Sequence, residues 1–511
     1  MRTTARRRQN FSLTLDPRSM ESGMNLNLLD LGVIAVYLIG VTLFGLHFRD
    51  GHRTLKSYYL AGNAIPWWAI SLSIVAAETS TLTVISVPGL AFDHDFGFLQ
   101  LVFGYLIGRI LVSFLFLPHY FRGDLLTAYQ LMERRFGQRL RTLTASIFLL
   151  TRAAAEGVRV FAVAIVVRIA LGTLVSGLSD LQRDIAAIAI VTALTLVYTF
   201  EGGLKAAIWT DVLQQTVYIA GTIVGLVTLL HLVPGGWPTI HAMGAAAGKF
   251  RVFDFSFNLT TKYTFWSGII GGTFLTMASH GTDQLIVQRL LAARSQSQSK
   301  LALISSGVAI LFQFSLFLFI GAMLYVYYQI SPPATPITRS DTVFPGFVVA
   351  HMPHGISGLL IAAILAAAMS NLSAALNSLS STSIVDLYAR FFPHSSDERR
   401  LKLSRLAMIA WALILFLLAI LARNGGRVIE VGLSISSVAY GCLLGVFLLG
   451  VLTRSATERG AMAGMVCGFA LNLYLWCFTA VSFTWYVVLG SAITFLVGYG
   501  ASRIPLPAQQ R

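Results

Sequence analysis

The sequence predicts an all-α, multi-pass (polytopic) membrane protein of about thirteen transmembrane helices, on three observations. Of its 511 residues 56% are hydrophobic and 12% charged, where a soluble chain carries about 25% charged residues. Mean hydropathy is +0.72, more apolar surface than soluble domains bury. The apolar residues fall into runs of about 20, the length that crosses a bilayer as a helix, so no sizeable aqueous domain is left over. These bounds exclude a soluble enzyme and a nucleic-acid binder. The partner they imply is the lipid bilayer, and the net charge of +15 reflects Lys and Arg gathered in cytoplasmic loops.

Short charged or Gly/Pro-containing segments separate the runs, which are 28–48, 66–91, 97–118, 144–170, 185–200, 204–231, 264–283, 301–328, 346–388, 404–422, 428–451, 460–479 and 484–502. With the first span running inward, cytoplasmic loops hold 21 Lys and Arg, from Arg49 to Arg511, and outer loops hold 8, from Arg168 to Arg427. The positive-inside rule then puts the N-terminus outside and the C-terminus in the cytoplasm of an inner cell membrane. Residues 1–25 form an extramembrane tail whose Arg2, Arg6, Arg7, Arg8 and Arg18 oppose that orientation. They lie too far from the first apolar run for a signal peptide, so Met20 or Met24 is the expected biological start. Cys442, Cys467 and Cys477 fall in apolar runs with neither disulfide nor metal-site spacing, and read as small apolar fillers.

Ionisable residues at membrane depth are costly and mark pathways. Here they are Glu78, Arg109, Arg152, Glu156, Arg159 and Asp211. Arg152, Glu156 and Arg159 are spaced i, i+4, i+7 and share one helix face. They form either a self-neutralising structural cluster or a net single positive charge facing a substrate cavity. The second span, around SIVAAETSTLTVISVPG (73–89), replaces Leu and Ile with small and hydroxylic residues and a carboxylate. An unwound segment lining a cavity would use these, exposing carbonyls to a cation and amides to a substrate. The ninth span, AAAMSNLSAALNSLSSTSIVDLY (366–388), repeats Ser370, Asn371, Ser373 and Asn377 at helical spacing. Neutral oxygens so grouped suit a weakly held monovalent cation, since a divalent one would call for carboxylates. The alternative is small-residue helix packing with hydroxyls bonded to their own backbone.

The 366–388 segment, with YTFEGGLKAAIWTDVLQQTVY (198–218), YFRGDLLTAYQLMERRFG (120–137) and GTDQLIVQRLLAARS (281–295), resembles the sodium:solute symporter family from about residue 26 to 500. The resemblance implies a five-plus-five inverted-repeat, LeuT-like core with discontinuous first and sixth core helices. It places an extra N-terminal helix over 26–50, the repeats over 66–232 and 264–451, and two C-terminal helices over 458–503. It also implies a sodium ion carried with the solute, at a site made by Ala76, Thr79, Ala367, Ser370 and Asn371. Asn371 stands where the family usually has Ser or Thr, an amide oxygen one atom longer than a hydroxyl. In some branches a second sodium uses an aspartate and two further hydroxyls; Asp211 and Ser373 match, but Ala374 replaces the last hydroxyl, which favours one sodium per cycle.

For the solute, Ser80 and Thr83 resemble hydroxyls of the sialic-acid-transporting branch. Ala155 stands where that branch has its carboxylate-pairing arginine, with Arg152 and Arg159 a turn to either side. Glu78 is a candidate partner for the coupling cation, for Arg159 or for a cationic or hydroxyl-rich solute, and Phe98 and Gln100 are either gate residues at the outer mouth or packing at the lipid interface. The expected function is sodium-coupled import of a small polar solute, a sugar, sugar acid or carboxylate, by a protein functional as a monomer. Alternatives are a proton-coupled or an amino-acid- or vitamin-carrying member of the family. A passive channel would not need discontinuous helices. A sensor would need a signalling module, for which the stretch from the last span to Arg511 leaves no expected room. ATP-driven transport would need the phosphate-cradling GxxxxGK[ST] loop, which the sequence lacks.

Overall fold

The computed structural model describes residues 26–47, 60–79, 81–123, 125, 127–171, 178–199, 203–333, 337–422 and 428–504. The N-terminal tail, Ser80 and the side chain of Ser370 lie outside the described residues. The regular elements among them are helices, apart from one bridge pairing Ile65 with Ala293.

The first span is α1, Leu28–Leu46, opened by Asn27 and Asp30, whose side chains each accept from the other's backbone amide. The second breaks into α2, Trp67–Glu78, and α3, Thr81–Asp93, bent by 64°. Then come α4, Leu99–Leu115, α5, Gln138–Leu171, α6, Asp180–Thr199, and α7, Gly203–Leu232. The seventh span is broken too. A π-helical turn, Ser267–Gly271, runs into α8, Gly272–Gly281, and after Thr282 and Asp283 the chain resumes as α9, Gln284–Leu291. The remainder is α10, Gln296–Ile330, α11, Ile356–Ser381, α12, Asp397–Leu421, α13, Val428–Leu452, α14, Glu458–Phe478, and α15, Phe483–Arg503. Side chains of Ser295, Ser396, Thr457 and Ser482 cap α10, α12, α14 and α15, each meeting an amide that the first turn leaves without a helical partner.

Nine described helices are long and apolar enough to cross a membrane, and the α2/α3 pair raises that to ten. The thirteen runs read from the sequence also counted α5, α6 and 264–283. These fall outside the ten: α5 carries Arg152, Glu156 and Arg159 along its length, α6 carries Arg183 and Asp184 near its start, and α8 has only 10 residues. The ninth run, 346–388, is likewise two helices. Val343–His351 ends before Pro353, and α11 starts after Gly355, whose φ of +86° needs a glycine.

Close crossing of glycines sets the broken helix against its neighbour. A Cβ on Gly104 of α4 would lie 2.3 Å from the Gly268 carbonyl oxygen, so the two backbones meet as small-residue membrane interfaces allow. On the other side, α10 packs along α2, α3 and α4, and the bridge between Ile65 and Ala293 ties the start of α2 to the end of α9.

Asp30 docks α1 on the core. It is fully buried, and its Oδ1 accepts from the Gly355 and Gly358 amides at 2.6 and 3.2 Å and from Ser357 Oγ at 2.8 Å, while Oδ2 meets His354 Nδ1 at 2.8 Å. One carboxylate from the first helix therefore serves as the N-terminal cap of α11. Asp30→Ala strands these donors and should lower stability by about 1–3 kcal/mol, seen as a lower melting temperature in detergent, whereas Ser357→Ala, which removes one donor, should have a smaller effect.

Candidate functional site

The two helix breaks lie beside one another around a cavity of about 110 Å³. Thr79 ends α2 with φ −84° and ψ 69°, so the last carbonyls of α2, Ala76 among them, are left by the helix for other partners. At the second break Asp283 caps α9 through the Leu285 amide, Oδ1 to N 2.9 Å, and Tyr120 Oη donates to the freed Gly281 carbonyl at 2.5 Å.

Of the residues singled out for the solute, Glu78, Thr83, Phe98, Arg152 and Arg159 line the cavity together. Gln100 does not. Its Nε2 donates to the Gly97 and Tyr263 carbonyls and its Oε1 accepts from the Asp254 amide, which makes it a strut between the start of α4 and the 254–263 segment. Phe98, buried, stacks on Phe314 with ring centroids 5.3 Å apart and meets Tyr263 edge-on at 5.3 Å, closing the cavity on that side.

Glu78 pairs with Arg109 rather than with Arg159. The Arg109 guanidinium is fully buried, and also reaches Ser306 Oγ at 3.2 Å and the Tyr105 carbonyl at 3.3 Å. Its Nη2 lies 3.2 Å from His280 Nε2. The other ring nitrogen, Nδ1, lies 2.9 Å from Ser279 Oγ, and Nε2 is also 3.6 Å from Glu78 Oε2, so His280 is an oriented ring in the wall of the cavity.

The fourth-span cluster differs from the expected net positive face. Arg152 lies between Glu156 Oε1 at 2.7 Å and Asp283 Oδ2 at 3.1 Å, and Tyr440 Oη donates to the same Asp283 oxygen at 2.8 Å. Arg159 meets Glu156 Oε1 at 3.1 Å. Asp283 from the seventh span therefore cancels the extra charge, leaving the cluster neutral. Arg152 is 7% exposed, whereas the Arg159 side chain is 23% exposed and has one carboxylate partner to Arg152's two. Sequence reasoning did not assign roles to His280, Asp283 or Tyr440. The signal for Asp283 was its place in the GTDQ segment, and for His280 a polar residue three positions earlier.

At the candidate sodium position, Thr79 and Asn371 are 1% and 5% exposed. Thr79 Oγ1, Thr81 Oγ1 and Asn371 Oδ1 are buried without a hydrogen-bond partner among the described residues. Buried oxygens of that kind are normally satisfied, so neutral hard donors left open fit a monovalent cation. Thr81 and Asn371 also share a water-sized cavity of about 10 Å³ with Ala368, Glu156 and Arg159.

Asp211 and Ser373, the candidate second site, are set differently. Asp211 Oδ2 accepts from Ser73 Oγ at 2.6 Å and from Arg289 Nη2 at 3.1 Å, and Arg289 Nε reaches Ser73 Oγ at 2.8 Å. Arg289, counted among the loop cations in the sequence, is 2% exposed on α9. A second cation here would confront that guanidinium. The triad also joins α2, α7 and α9.

Two spans broken side by side around a cavity lined by Glu78, Arg152, Arg159 and Asp283 define a secondary transporter of LeuT-like fold. The sodium:solute symporter family profile matches residues 58–468, and the chain belongs to that family. It is 28% identical to the sodium/sialic acid symporter NanT of Aliivibrio fischeri, across 91% of this chain and 90% of that protein, and 28% identical to the sodium/sialic acid symporter SiaT of Proteus mirabilis, across 94% and 95%. The human sodium-coupled monocarboxylate transporter 2 is 27% identical over 83% of this chain and 67% of its own length. In structure, the substrate-bound outward-open state of a Na+-coupled sialic acid symporter superposes with TM-score 0.83 at 28% identity, covering 95% of this chain and all of the other. Mhp1, a nucleobase-cation-symport-1 transporter, shares the fold, with TM-score 0.55 at 15% identity over 87% and 93%. The chain is a sodium-coupled symporter of small solutes and a multi-pass membrane protein, not an enzyme.

Removing one member of a buried ion pair leaves the other charge uncompensated at about 3–5 kcal/mol, whereas removing both is much milder. Arg109→Met should therefore destabilise strongly and the double variant Glu78→Gln/Arg109→Met should recover most of the loss, as thermal melting of the single and double variants would read.

Proposed function

We propose that this symporter carries a sugar acid or a related small carboxylate into the cell with one sodium ion. The observation that carries the reading is Arg159, the less committed guanidinium on the cavity wall. A solute carboxylate there would take over a bidentate pair in a low-dielectric site, directional as well as strong. The full-length similarity to sodium/sialic acid symporters supports the same class. Glu78, Ser80 and Thr83 would read the solute's hydroxyls, and Phe98 would cover it.

For the ion, we infer a site at the α2 break and α11, from the carbonyls of Ala76, Thr79 and Ala367 with Ser370 and Asn371, supported by the open Asn371 and Thr79 oxygens. Asp211 and Ser373 are then positioning residues rather than a second sodium site, because Arg289 satisfies Asp211. We read 66–232 and 264–451 as the two repeats, 26–50 as the added helix and 458–503 as the C-terminal pair. The N-terminus lies outside, the C-terminus in the cytoplasm of the inner membrane, and the monomer is the working unit. A second reading, a neutral hydroxyl-rich solute, is favoured by the balance of the cavity's charges, since each arginine there already has a carboxylate.

Uptake by proteoliposomes separates the two readings. Arg159→Gln should weaken uptake of the anion by more than about tenfold, in line with about 2–5 kcal/mol for an unpaired buried charge, with Lys restoring it partly because it keeps charge without the fork. Normal anion uptake by Arg159→Gln would favour the neutral solute. For the ion, about 100 mM sodium at millimolar affinity should raise stability over equal potassium by about 2–3 kcal/mol, measured as melting temperature. Ser370→Ala should raise the sodium concentration for half-maximal uptake, and Asn371→Ser should be tolerated.

A further inference from the structure

Between the short helix Trp237–Ala246 and the seventh span, residues 251–258 run without helix. The sequence RVFDFSFNL over 251–259 alternates apolar and polar residues after its first pair. In an extended chain successive side chains point to opposite sides. Phe253, Phe255, Phe257 and Leu259 therefore share one side, and they are 48%, 65%, 69% and 41% exposed. Asp254, Ser256 and Asn258 share the other, where Asp254 Oδ1 accepts from the Ser256 amide and Asn258 Oδ1 from the Thr260 amide.

The segment is pinned at both ends and in the middle. The Phe96 amide donates to the Arg251 carbonyl at 3.0 Å, the Phe265 amide to the Asp254 carbonyl at 2.6 Å, and the Ser482 amide to the Leu259 carbonyl at 2.7 Å. Its phenyl groups are thus held outward by a fixed backbone. A contiguous aromatic face of this kind marks an interaction surface.

Its neighbours identify what covers it. Phe253 stacks on Phe103, four residues into α4, with centroids 6.1 Å apart. Phe255 packs on Phe265 at 5.0 Å, next to the exposed Trp266, and Phe257 meets Trp485 in the first turn of α15 at 6.0 Å. The phenyl side therefore continues the apolar faces of three spans at the ends where all three begin, and aromatic rings concentrate at that depth of a membrane.

We propose that residues 251–259 are an interfacial strap, with the phenyl side seated at the boundary of headgroups and acyl chains of the outer leaflet and the polar side facing the outer vestibule. The interface supplies water and headgroups to an extended backbone, which the hydrocarbon core would not. Because the Asp254 amide is bonded to Gln100, two residues from Phe98, the strap also fastens the cavity's outer closure to the bilayer. A second copy of the chain is the competing occupant; the continuity with three lipid-facing spans favours lipid.

Spin labels test this in full-length protein reconstituted into phosphatidylcholine–phosphatidylglycerol vesicles, with Cys467→Ala and Cys477→Ala removing the exposed thiols. Labels at Phe255→Cys and Phe257→Cys should show a ratio of oxygen to nickel-chelate collisions several-fold above labels at Ser256→Cys and Asn258→Cys. Phe253→Cys stands in if one phenyl-side variant does not reconstitute. Equal, water-like ratios at all positions would overturn the proposal. Dipolar broadening at the phenyl side that disappears on dilution with unlabelled protein would also overturn it, by identifying a second copy. The collision ratio reads lipid contact whichever leaflet the strap occupies, so it stands apart from the topology and from the choice of solute.

Discussion

A carboxylate at membrane depth must meet a cation that the protein itself supplies, and this requirement organises the centre of the symporter. Glu78 has Arg109, Glu156 has Arg152 and Arg159, Asp283 has Arg152, and Asp211 has Arg289. The Glu78–Arg109, Asp283–Arg152 and Asp211–Arg289 pairs join different elements, while Glu156 meets Arg152 and Arg159 within α5. Arg109 fastens α4 to the α2 break, Arg152 fastens α5 to the break between α8 and α9, and Arg289 fastens α9 to α7. Motion of the cavity walls must carry these pairs intact or exchange one partner for another, and a solute carboxylate or a sodium ion is the kind of partner that can be exchanged.

The same logic governs the backbone. Interrupting two helices in hydrocarbon would strand carbonyls and amides, and is tolerated where protein or a polar cavity takes them up. Here the second break is met by Asp283 and Tyr120. The first is partly left open, with Thr79 Oγ1 and, across the gap, Asn371 Oδ1 lacking partners among the described residues. Satisfied groups hold the frame, and the unsatisfied ones are where the proposed cation would gain by binding.

Much of this was legible in the sequence because membrane depth makes polar residues conspicuous. Glu78 amid SIVAAETS announced the first break, and the i, i+4, i+7 spacing in the fourth span announced a shared face. Pairing across sequence was not legible. Glu78 was as near in sequence logic to Arg159 as to Arg109, and nothing local said that Asp283, over a hundred residues on, would cancel the arginine cluster. Arg289 looked like a loop cation because it follows an apolar run, and proved buried because α9 turns back under the cavity. Gln100 stands two residues from Phe98, and side chains two apart on a helix do not face each other, so Phe98 lines the cavity while Gln100 turns to the 254–263 segment.

The cap that Asp30 places on α11 bears on how the protein is assembled. A nascent chain delivers α1 to the bilayer first, and the Gly355 amide that its carboxylate needs is 325 residues downstream. Until those residues emerge, the first helix carries an acid with no native donor beyond Asn27, near the end where water and headgroups are available to it. The contacts by which Asp30 docks α1 on α11 can therefore form only after the start of α11 has been made.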